Sequence, residues 1–296
     1  MTGSRPVPRF WPVLGLLYSA TLWGMVWYPL RLLDDGGLNG IWQSLVSYGA
    51  ALLVVLPFYW RRRGELNNRL PRLLLMALAI GWCNIAFVLA MLEGNVLRVL
   101  LFFYLSPIWT ILLGRFFLHE TFSAPVILGL LAGMLGMLLM LWRPELGFDW
   151  PRGRADWFAL TSGMGFAVAN VLTRYLQDIS ITGKTVVSWL GVLAVGLVAL
   201  LASDPSLPAV APSIWWGSIL LGVLGFISMS FAVQYGVTHL PVQQSSVILL
   251  FELVAGGLSA WWLAGESLRV TEWAGGALIA AAGLIVQWRS ADAEHH

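Results

Sequence analysis

Long apolar stretches, separated by short polar segments, follow one another along the whole chain. Ten of them are about 20 residues long, which is the length that an α-helix needs to cross a bilayer. The separators carry glycine, proline, aspartate or clustered arginine, as helix ends do. A membrane β-barrel would show a two-residue alternation instead, and these stretches lack it. The pattern predicts ten transmembrane helices, at residues 10–30, 39–60, 72–92, 96–118, 124–142, 156–176, 184–202, 213–236, 241–264 and 271–289.

The composition of the 296 residues agrees with a chain surrounded by lipid. Hydrophobic residues make up 58% of it and charged residues only 11%, whereas a soluble domain has about 25% charged residues. The single cysteine, Cys83, excludes an intrachain disulfide. The first apolar stretch lacks a following small-residue cleavage site, so we expect a retained helix rather than a signal peptide. The sequence therefore predicts an all-α, multi-pass membrane protein.

The distribution of lysine and arginine predicts the orientation of the chain. Ten spans place both termini on the same side of the membrane, and eleven of the 17 basic residues fall on that side. An excess of basic residues in short loops marks the cytoplasmic face. We therefore expect both termini in the cytoplasm and the chain in the cytoplasmic (inner) membrane.

The two halves of the chain repeat each other at a fixed spacing. A shift of 146 residues aligns four pairs: Glu120 with Glu266, Gly129 with Gly275, Trp142 with Trp288, and Arg143 with Arg289. We expect a first five-helix unit at 1–145, a linker at 146–155 and a second five-helix unit at 156–296. Because five is odd, the second unit enters the membrane from the opposite side. Such an inverted repeat is a transporter architecture, with its binding site near the middle of the membrane.

Short motifs at equivalent points of the two halves carry a resemblance to a known family. They are Leu22-Trp23-Gly24 in the first stretch, Leu105-Ser106-Pro107-Ile108 and Leu118-His119-Glu120 around the fourth, and Leu250-Phe251-Glu252-Leu253 and Gly265-Glu266 around the ninth. With these motifs, essentially the whole chain resembles the drug/metabolite transporter superfamily, specifically its ten-helix members with two EamA domains. Within that superfamily it most resembles the aromatic amino-acid exporters of the YddG type.

The resemblance implies a secondary transporter that works by alternating access. It places helices 1, 3, 4, 6, 8 and 9 around a central cavity and helices 5 and 10 at the periphery. The implied function is export of amino acids, aromatic or neutral, across the cytoplasmic membrane. Family members often have proline after the glutamate of helix 9, where this chain has Leu253. A kink in helix 9 is therefore left open, whereas Pro107 predicts one in helix 4.

Other functions remain as alternatives at this stage. The transported molecule could instead be another metabolite or a drug-like cation. A membrane-embedded enzyme is less favoured, because it would need paired catalytic groups at one depth and the spans contain one deep carboxylate. A channel is also less favoured, because neither a ring of like charges nor a repeated carbonyl motif is evident.

Glu252 is the most unusual residue of the predicted spans. It lies about eleven residues into the ninth stretch, near the middle of the bilayer, where a carboxylate costs roughly 2.5–3.5 kcal/mol. Such a group lines a wet cavity, has a polar partner, or is protonated. We expect Glu252 to bind a coupling proton or the amine of a substrate. The alternative is a hydrogen-bonded structural carboxyl between helices.

Aromatic and polar side chains inside the spans are the other candidates for a binding site. Trp23 and Trp27 are four residues apart and therefore share a helix face. An aromatic cavity with few charges suits a flat apolar substrate or a cationic one. Ordinary packing and hydrogen bonds between helices are the alternative roles. The predicted substrate-binding residues are Tyr18, Trp23, Trp27, Trp82, Asn84, Tyr104, Ser106, Asn170, Gln244 and Ser245.

The remaining sequence features limit the cofactors and partners. Neither a P-loop nor a metal-ligand cluster is evident, so we predict no cofactor and no enzyme activity. The predicted partners are a small-molecule substrate and the lipid bilayer, with protons as a candidate coupling ion and no nucleic acid. The oligomeric state is expected to be a monomer or a dimer. Glu120 and Glu266, each just after a helix, are expected to satisfy free backbone N–H groups.

Overall fold

The computed structural model describes residues 10–120, 124–142, 150–203, 206–265 and 267–292. These residues form helices joined by short turns, and no strand occurs among them. The helices group into ten spans, numbered in chain order. In the first half, span 1 is α1 (Phe10–Met25) and α2 (Trp27–Asp35); span 2 is α3 (Gly40–Tyr59), followed by a 3₁₀ segment (Trp60–Arg69); span 3 is α4 (Leu70–Glu93); span 4 is α5 (Val96–Phe103) and α6 (Ser106–Phe117); and span 5 is α7 (Ala124–Leu141). In the second half, span 6 is α8 (Arg154–Tyr175); span 7 is α9 (Ile181–Ala202); span 8 is α10 (Pro212–Leu220), a π-helical turn (Leu221–Phe226) and α11 (Ile227–His239); span 9 is α12 (Val242–Leu249) and α13 (Phe251–Leu263); and span 10 is α14 (Val270–Asp292).

The helices have the lengths that membrane crossing requires. Eight helical units of the described chain are long and apolar enough to cross a membrane, and Val270–Val286 is a shorter apolar helix. The remaining unit, α8, has 22 residues and a length of about 33 Å, enough to cross the hydrocarbon core. Its lower hydropathy comes from side chains that are buried in the protein, including Asp156, Ser162, Asn170 and Thr173. The prediction of an all-α membrane protein with ten spans is confirmed.

The spans of the two halves interlock with a two-fold pattern. Span 1 packs on spans 8 and 9, and span 6 packs in the equivalent way on spans 3 and 4. Span 2 packs on span 7, and span 5 packs on span 10. The first span of each half is therefore inserted into the other half. This exchange creates two groups of helices: the 3-4-6 group and the 1-8-9 group.

Spans 4 and 9 are both interrupted near their middle. In span 4 the break precedes Pro107, which lacks the N–H needed to continue the helix. In span 9 the Leu250 N–H donates to the Val247 carbonyl at 3.2 Å, and the Leu253 N–H donates to the Leu250 carbonyl at 3.0 Å. These bonds span three residues rather than four, so they tighten the chain locally. Span 9 therefore breaks even though Leu253 stands where the resembling family often has proline.

Spans 3 and 7 approach so closely that only glycine fits where they cross. A Cβ atom on Gly191 of α9 would overlap the carbonyl of Ala77 in α4. A Cβ atom on Gly81 would in turn overlap the carbonyl of Gly191. Small residues allow this backbone approach between membrane helices, where packing rather than water drives association. The crossing attaches span 7 firmly to the 3-4-6 group.

This crossing predicts a position-specific effect of adding one methyl group. We expect Gly191→Ala to lower the free energy of unfolding by about 2 kcal/mol, because backbone atoms cannot yield to the new methyl. The matched control is Gly283→Ala in α14, where an added Cβ would meet nothing within 4 Å. Thermal or denaturant unfolding in detergent measures both variants. Equal stability of the two would contradict the close packing of spans 3 and 7.

Candidate functional site

The breaks in spans 4 and 9 bring together two polar side chains from the two groups. Glu252 lies in the first turn of α13, and Tyr104 lies in the connection between α5 and α6. The Tyr104 hydroxyl lies within hydrogen-bonding reach of the Glu252 carboxylate, to which it can donate. Tyr104 is buried, whereas Glu252 is half-buried. The structure therefore places the predicted coupling residue against one predicted binding residue, at the junction of the 3-4-6 and 1-8-9 groups.

Span 1 positions the two predicted tryptophans beside this junction, Trp23 in α1 and Trp27 at the start of α2. A Cβ on Gly24 would overlap the carbonyl of Glu252, so α1 and α13 are in backbone contact there. The indole Nε1 of Trp27 donates to the hydroxyl of Ser259 at 2.9 Å. Trp23 stacks on Phe226 of span 8, with 5.5 Å between the ring centroids. Both tryptophans face other members of the 1-8-9 group, as their four-residue spacing predicted.

A π-helical turn presents the ring on which Trp23 stacks. Phe226 is the last residue of that turn, and its ring also packs on Tyr48 of α3 at 4.6 Å between centroids. A π-helical turn holds one extra residue and therefore rotates the side chains near it. The Tyr48 hydroxyl accepts a hydrogen bond from the Asn84 amide at 3.3 Å. Trp23, Phe226 and Tyr48 thus form an aromatic wall that ends at the predicted residue Asn84.

A second aromatic cluster belongs to the 3-4-6 group. The ring of Phe103 lies 4.9 Å from Phe87, 5.1 Å from Tyr104 and 5.8 Å from Phe166, measured between centroids. Through Tyr104 this cluster reaches Glu252. Tyr104 thus connects the rings of the 3-4-6 group to this carboxylate.

Two of the predicted amide residues keep unused hydrogen-bonding atoms. The Oδ1 atom of Asn84 and the Nδ2 atom of Asn170 are buried and have no hydrogen-bond partner among the described residues. A buried polar atom left in this state costs about 1–3 kcal/mol. One acceptor and one donor are thus available to a ligand or to water at these two positions.

Three further predicted residues are buried in spans 4 and 9. Ser106, Gln244 and Ser245 are each less than 9% exposed. The Ser245 hydroxyl donates to the carbonyl of Pro241, one turn earlier. Ser106 accepts through its carbonyl from the Thr110 hydroxyl. These bonds are local, so they brace the two half-helices that flank the breaks.

The structure places two predicted residues away from this region. Tyr18 is 49% exposed and shares the outer face of α1 with Leu14, opposite the packed residues Leu16 and Ala20. Trp82 is 40% exposed and makes an edge contact with the ring of Phe158. Neither side chain joins the set around Glu252. Aromatic identity alone does not distinguish a cavity-facing ring from an outward-facing one.

Tyr48, Phe103 and Phe226 belong to the aromatic walls but were not among the predicted residues. An aromatic residue inside an apolar span is ordinary packing material, and nothing in the spacing of these three separates them from other rings. The break before Pro107 could have drawn attention to Phe103, which comes just before it. The π-helical turn that presents Phe226 has no sequence signature in Leu221–Phe226.

Charge is distributed unevenly around this region. The described lysine and arginine residues lie at or near the ends of the spans, whereas Glu252 lies at the central break of span 9. A carboxylate at this depth favours a cationic group or a proton over an anion. Among the described residues, no group of three or more His, Cys, Asp or Glu side chains is placed to hold a metal ion.

Comparison with known proteins is consistent with this architecture. The profile described as the EamA-like transporter family matches residues 10–142 and again residues 153–288. A protein of Archaeoglobus fulgidus named "Uncharacterized transporter" is 28% identical over 277 residues, which are 93% of this chain and 95% of that protein. "Uncharacterized transporter PA0485" of Pseudomonas aeruginosa is 25% identical over 197 residues, 64% of this chain and 62% of that protein. A crystal structure titled "Crystal structure of protein" superposes with a TM-score of 0.76, 16% identity, and coverage of 94% of this chain and 97% of that one.

The unused Asn84 acceptor predicts opposite effects on stability and on ligand binding. Asn84→Leu removes the unsatisfied Oδ1 atom and also the amide's hydrogen bond to Tyr48. Because these two changes oppose each other, we expect the unfolding free energy without ligand to stay within about 1 kcal/mol of wild type. The same variant should lose the thermal stabilisation given by bound amino acids or organic amines. Thermal unfolding in detergent, with and without a panel of these compounds, measures both effects. A loss of stability above about 2 kcal/mol without ligand would instead assign Asn84 a structural role.

Proposed function

The chain belongs to the EamA-like transporter family, and we propose that it exports small organic metabolites across the cytoplasmic membrane by alternating access. Within this function, we propose aromatic or neutral amino acids as the substrates. The observation that carries the proposal is the contact between Glu252 and Tyr104 at the paired breaks of spans 4 and 9. This contact joins the two groups of helices that alternating access would move relative to each other.

Glu252 would bind the ammonium group of the substrate or a coupling proton. A cation beside the carboxylate replaces the solvation that the buried acid has lost, which favours binding at this depth. The Tyr104 hydroxyl supports the charged form by donating to it. We assign Glu252 to the amine or proton and Tyr104 to the orientation of the carboxylate.

The body of the substrate would lie between the two aromatic clusters. Rings that stack or meet edge to face with Trp23, Phe226 or Phe103 gain about 0.5–1.5 kcal/mol beyond burial of their area. The free Nδ2 donor of Asn170 suits a substrate carboxylate, and the free Oδ1 acceptor of Asn84 suits a second N–H. This assignment accounts for an amino acid with an aromatic or a neutral side chain.

Export of an organic cation is the second candidate, and one observation favours it. The described basic residues lie at or near the span ends, so no full positive charge stands opposite Glu252 to receive a carboxylate. A monovalent amine would leave no charge unpaired in the site. Competition between amino acids and the corresponding decarboxylated amines, measured in one flux assay, separates the two candidates.

The proposal predicts that Glu252→Gln removes transport without removing the fold. Wild-type protein reconstituted in liposomes should move labelled aromatic or neutral amino acids. We expect Glu252→Gln to lower the transport rate at least about tenfold, because one charged contact contributes about 1.5–3 kcal/mol. Glu272→Gln is the matched control, because Glu272 lies at the outer start of α14, where it caps the first turn by accepting from the Arg269 N–H. Monodisperse elution in detergent checks that both variants fold.

Two results would contradict the proposal. Wild-type protein that moves none of the amino acids or amines of a broad panel would remove the proposed function. Unaltered flux in Glu252→Gln would remove Glu252 from the mechanism while leaving export itself in place.

A further inference from the structure

The polar contacts between helices differ between the two sides of the membrane. On the side opposite the termini, two polar contacts each join members of the same group. Arg98 of span 4 pairs with Asp156 of span 6 at 2.8 Å, and both belong to the 3-4-6 group. Trp27 and Ser259, bonded at 2.9 Å, both belong to the 1-8-9 group. These contacts stabilise each group but do not join the groups to each other.

On the side of the termini, polar contacts cross from one group to the other. Arg174 at the end of α8 donates to the Thr238 carbonyl of span 8 at 2.6 Å. Gln177, just beyond α8, donates to the same carbonyl at 2.9 Å. Glu120, after span 4, accepts from the Val242 N–H at the start of α12 at 3.2 Å. The expectation that Glu120 satisfies a free backbone N–H is confirmed, and its partner lies in the other group.

Lys184 adds a buried cation to the same set of contacts. Its ammonium donates to the Thr173 carbonyl at 2.8 Å and to the Thr238 hydroxyl at 3.0 Å, and its side chain has no exposed surface. A buried ammonium is stable only while acceptors replace its water. The two acceptors come from span 6 and span 8, so both groups must stay together to solvate Lys184.

Helix packing shows the same asymmetry. The half-helices on the terminal side, α6 and α12, pack on each other, and α11 packs on α8. The half-helices on the opposite side, α5 and α13, are not among the closely packed pairs of the described chain. The two groups therefore pack more closely on the side of the termini than beyond the breaks, where Leu101 of α5 and Leu253 of α13 share one apolar cluster.

We propose that Arg174, Lys184 and Glu120, with Thr238 and the start of α12 as their partners, form a latch that closes the terminal side of the protein. The latch holds the state in which the region around Glu252 opens to the opposite side. It must release before a molecule from the terminal side, the cytoplasm in the predicted orientation, reaches Glu252. This role rests on the proposed function, since it takes alternating access as given.

Accessibility of a single cysteine tests the latch independently of any substrate. Ser245→Cys, in a Cys83→Ser background, places a thiol on α12 between the latch and Glu252, at a residue that is 2% exposed in the structure. A membrane-impermeant maleimide is added to vesicles that expose the terminal side. In Lys184→Met and Arg174→Met we expect labelling to become roughly tenfold faster, a shift of about 1.4 kcal/mol in the closed-to-open equilibrium. Thr238→Val removes a single hydroxyl acceptor, and we expect about a threefold increase.

Arg69→Gln is the matched control on the same side of the membrane. Arg69 pairs with Asp178 at 2.8 Å, and its hydrogen bond lowers the pKa of that carboxyl. Both side chains are partly exposed, and the pair lies between the loops that follow spans 2 and 6. Asp178 also attracts Lys184, so removing Arg69 does not weaken the latch. An exposed pair contributes little, so we expect labelling within about twofold of the parent. Monodisperse elution in detergent confirms that each variant is folded.

The outcomes separate the latch from the proposed function. Unchanged labelling in folded Lys184→Met and Arg174→Met would overturn the latch, even if flux is normal. If Lys184→Met fails to fold, unchanged labelling in Arg174→Met and Thr238→Val overturns it equally. Faster labelling in the latch variants supports the latch. This result holds even if wild-type protein moves none of the tested substrates, because absence of transport would count against the proposed function alone.

Discussion

A carboxylate held where two broken helices meet is the interaction on which the rest of this structure depends. Glu252 lies at membrane depth, where a carboxylate is tolerated only with polar support. The break in span 4 supplies that support, because it turns the Tyr104 hydroxyl toward the acid. The break in span 9 places Glu252 in the first turn of α13, where the free N–H groups of a helix start favour negative charge. Spans 4 and 9 must therefore meet at their breaks, which in turn requires the interlocked halves.

The repeat is symmetric in its backbone and asymmetric in its chemistry. The 146-residue shift places Ser106, the first residue of α6, on Glu252 in the first turn of α13, and Tyr104 on Leu250. Each half thus supplies the same break, but one half supplies the acid and the other supplies its hydrogen-bond donor. Two acids at symmetric positions would repel each other at low dielectric. One acid with one hydroxyl suits a single positive charge.

Much of this architecture could be read from the sequence, because the physical signals are strong there. Span length and the depth of Glu252 follow from counting apolar residues, and the two-fold repeat follows from four residue pairs that match at a shift of 146. The faces of Trp23 and Trp27 were also predictable, since a four-residue spacing fixes their relative direction. The direction of a lone aromatic residue was not: Tyr18 and Trp82 face outward, and Phe226 faces inward because of a π-helical turn that its sequence does not signal. The break at Leu250 was equally hidden, since tertiary packing produces it without proline.

The helix α12 links the latch to Glu252 mechanically. Its first N–H is held by Glu120, and its other end is the break at Leu250, directly before α13. A helix of eight residues moves as a rigid rod about 12 Å long, so a displacement of its first turn reaches the break undiminished. Charge at Glu252 and closure of the terminal side therefore act on the same short rod from opposite ends. Binding of a cation at Glu252 can change the free energy of latch closure only if the closed and released states differ in contacts at both ends of α12. The latch supplies such a difference at one end, and the single acid supplies it at the other. These two features would make the coupling possible.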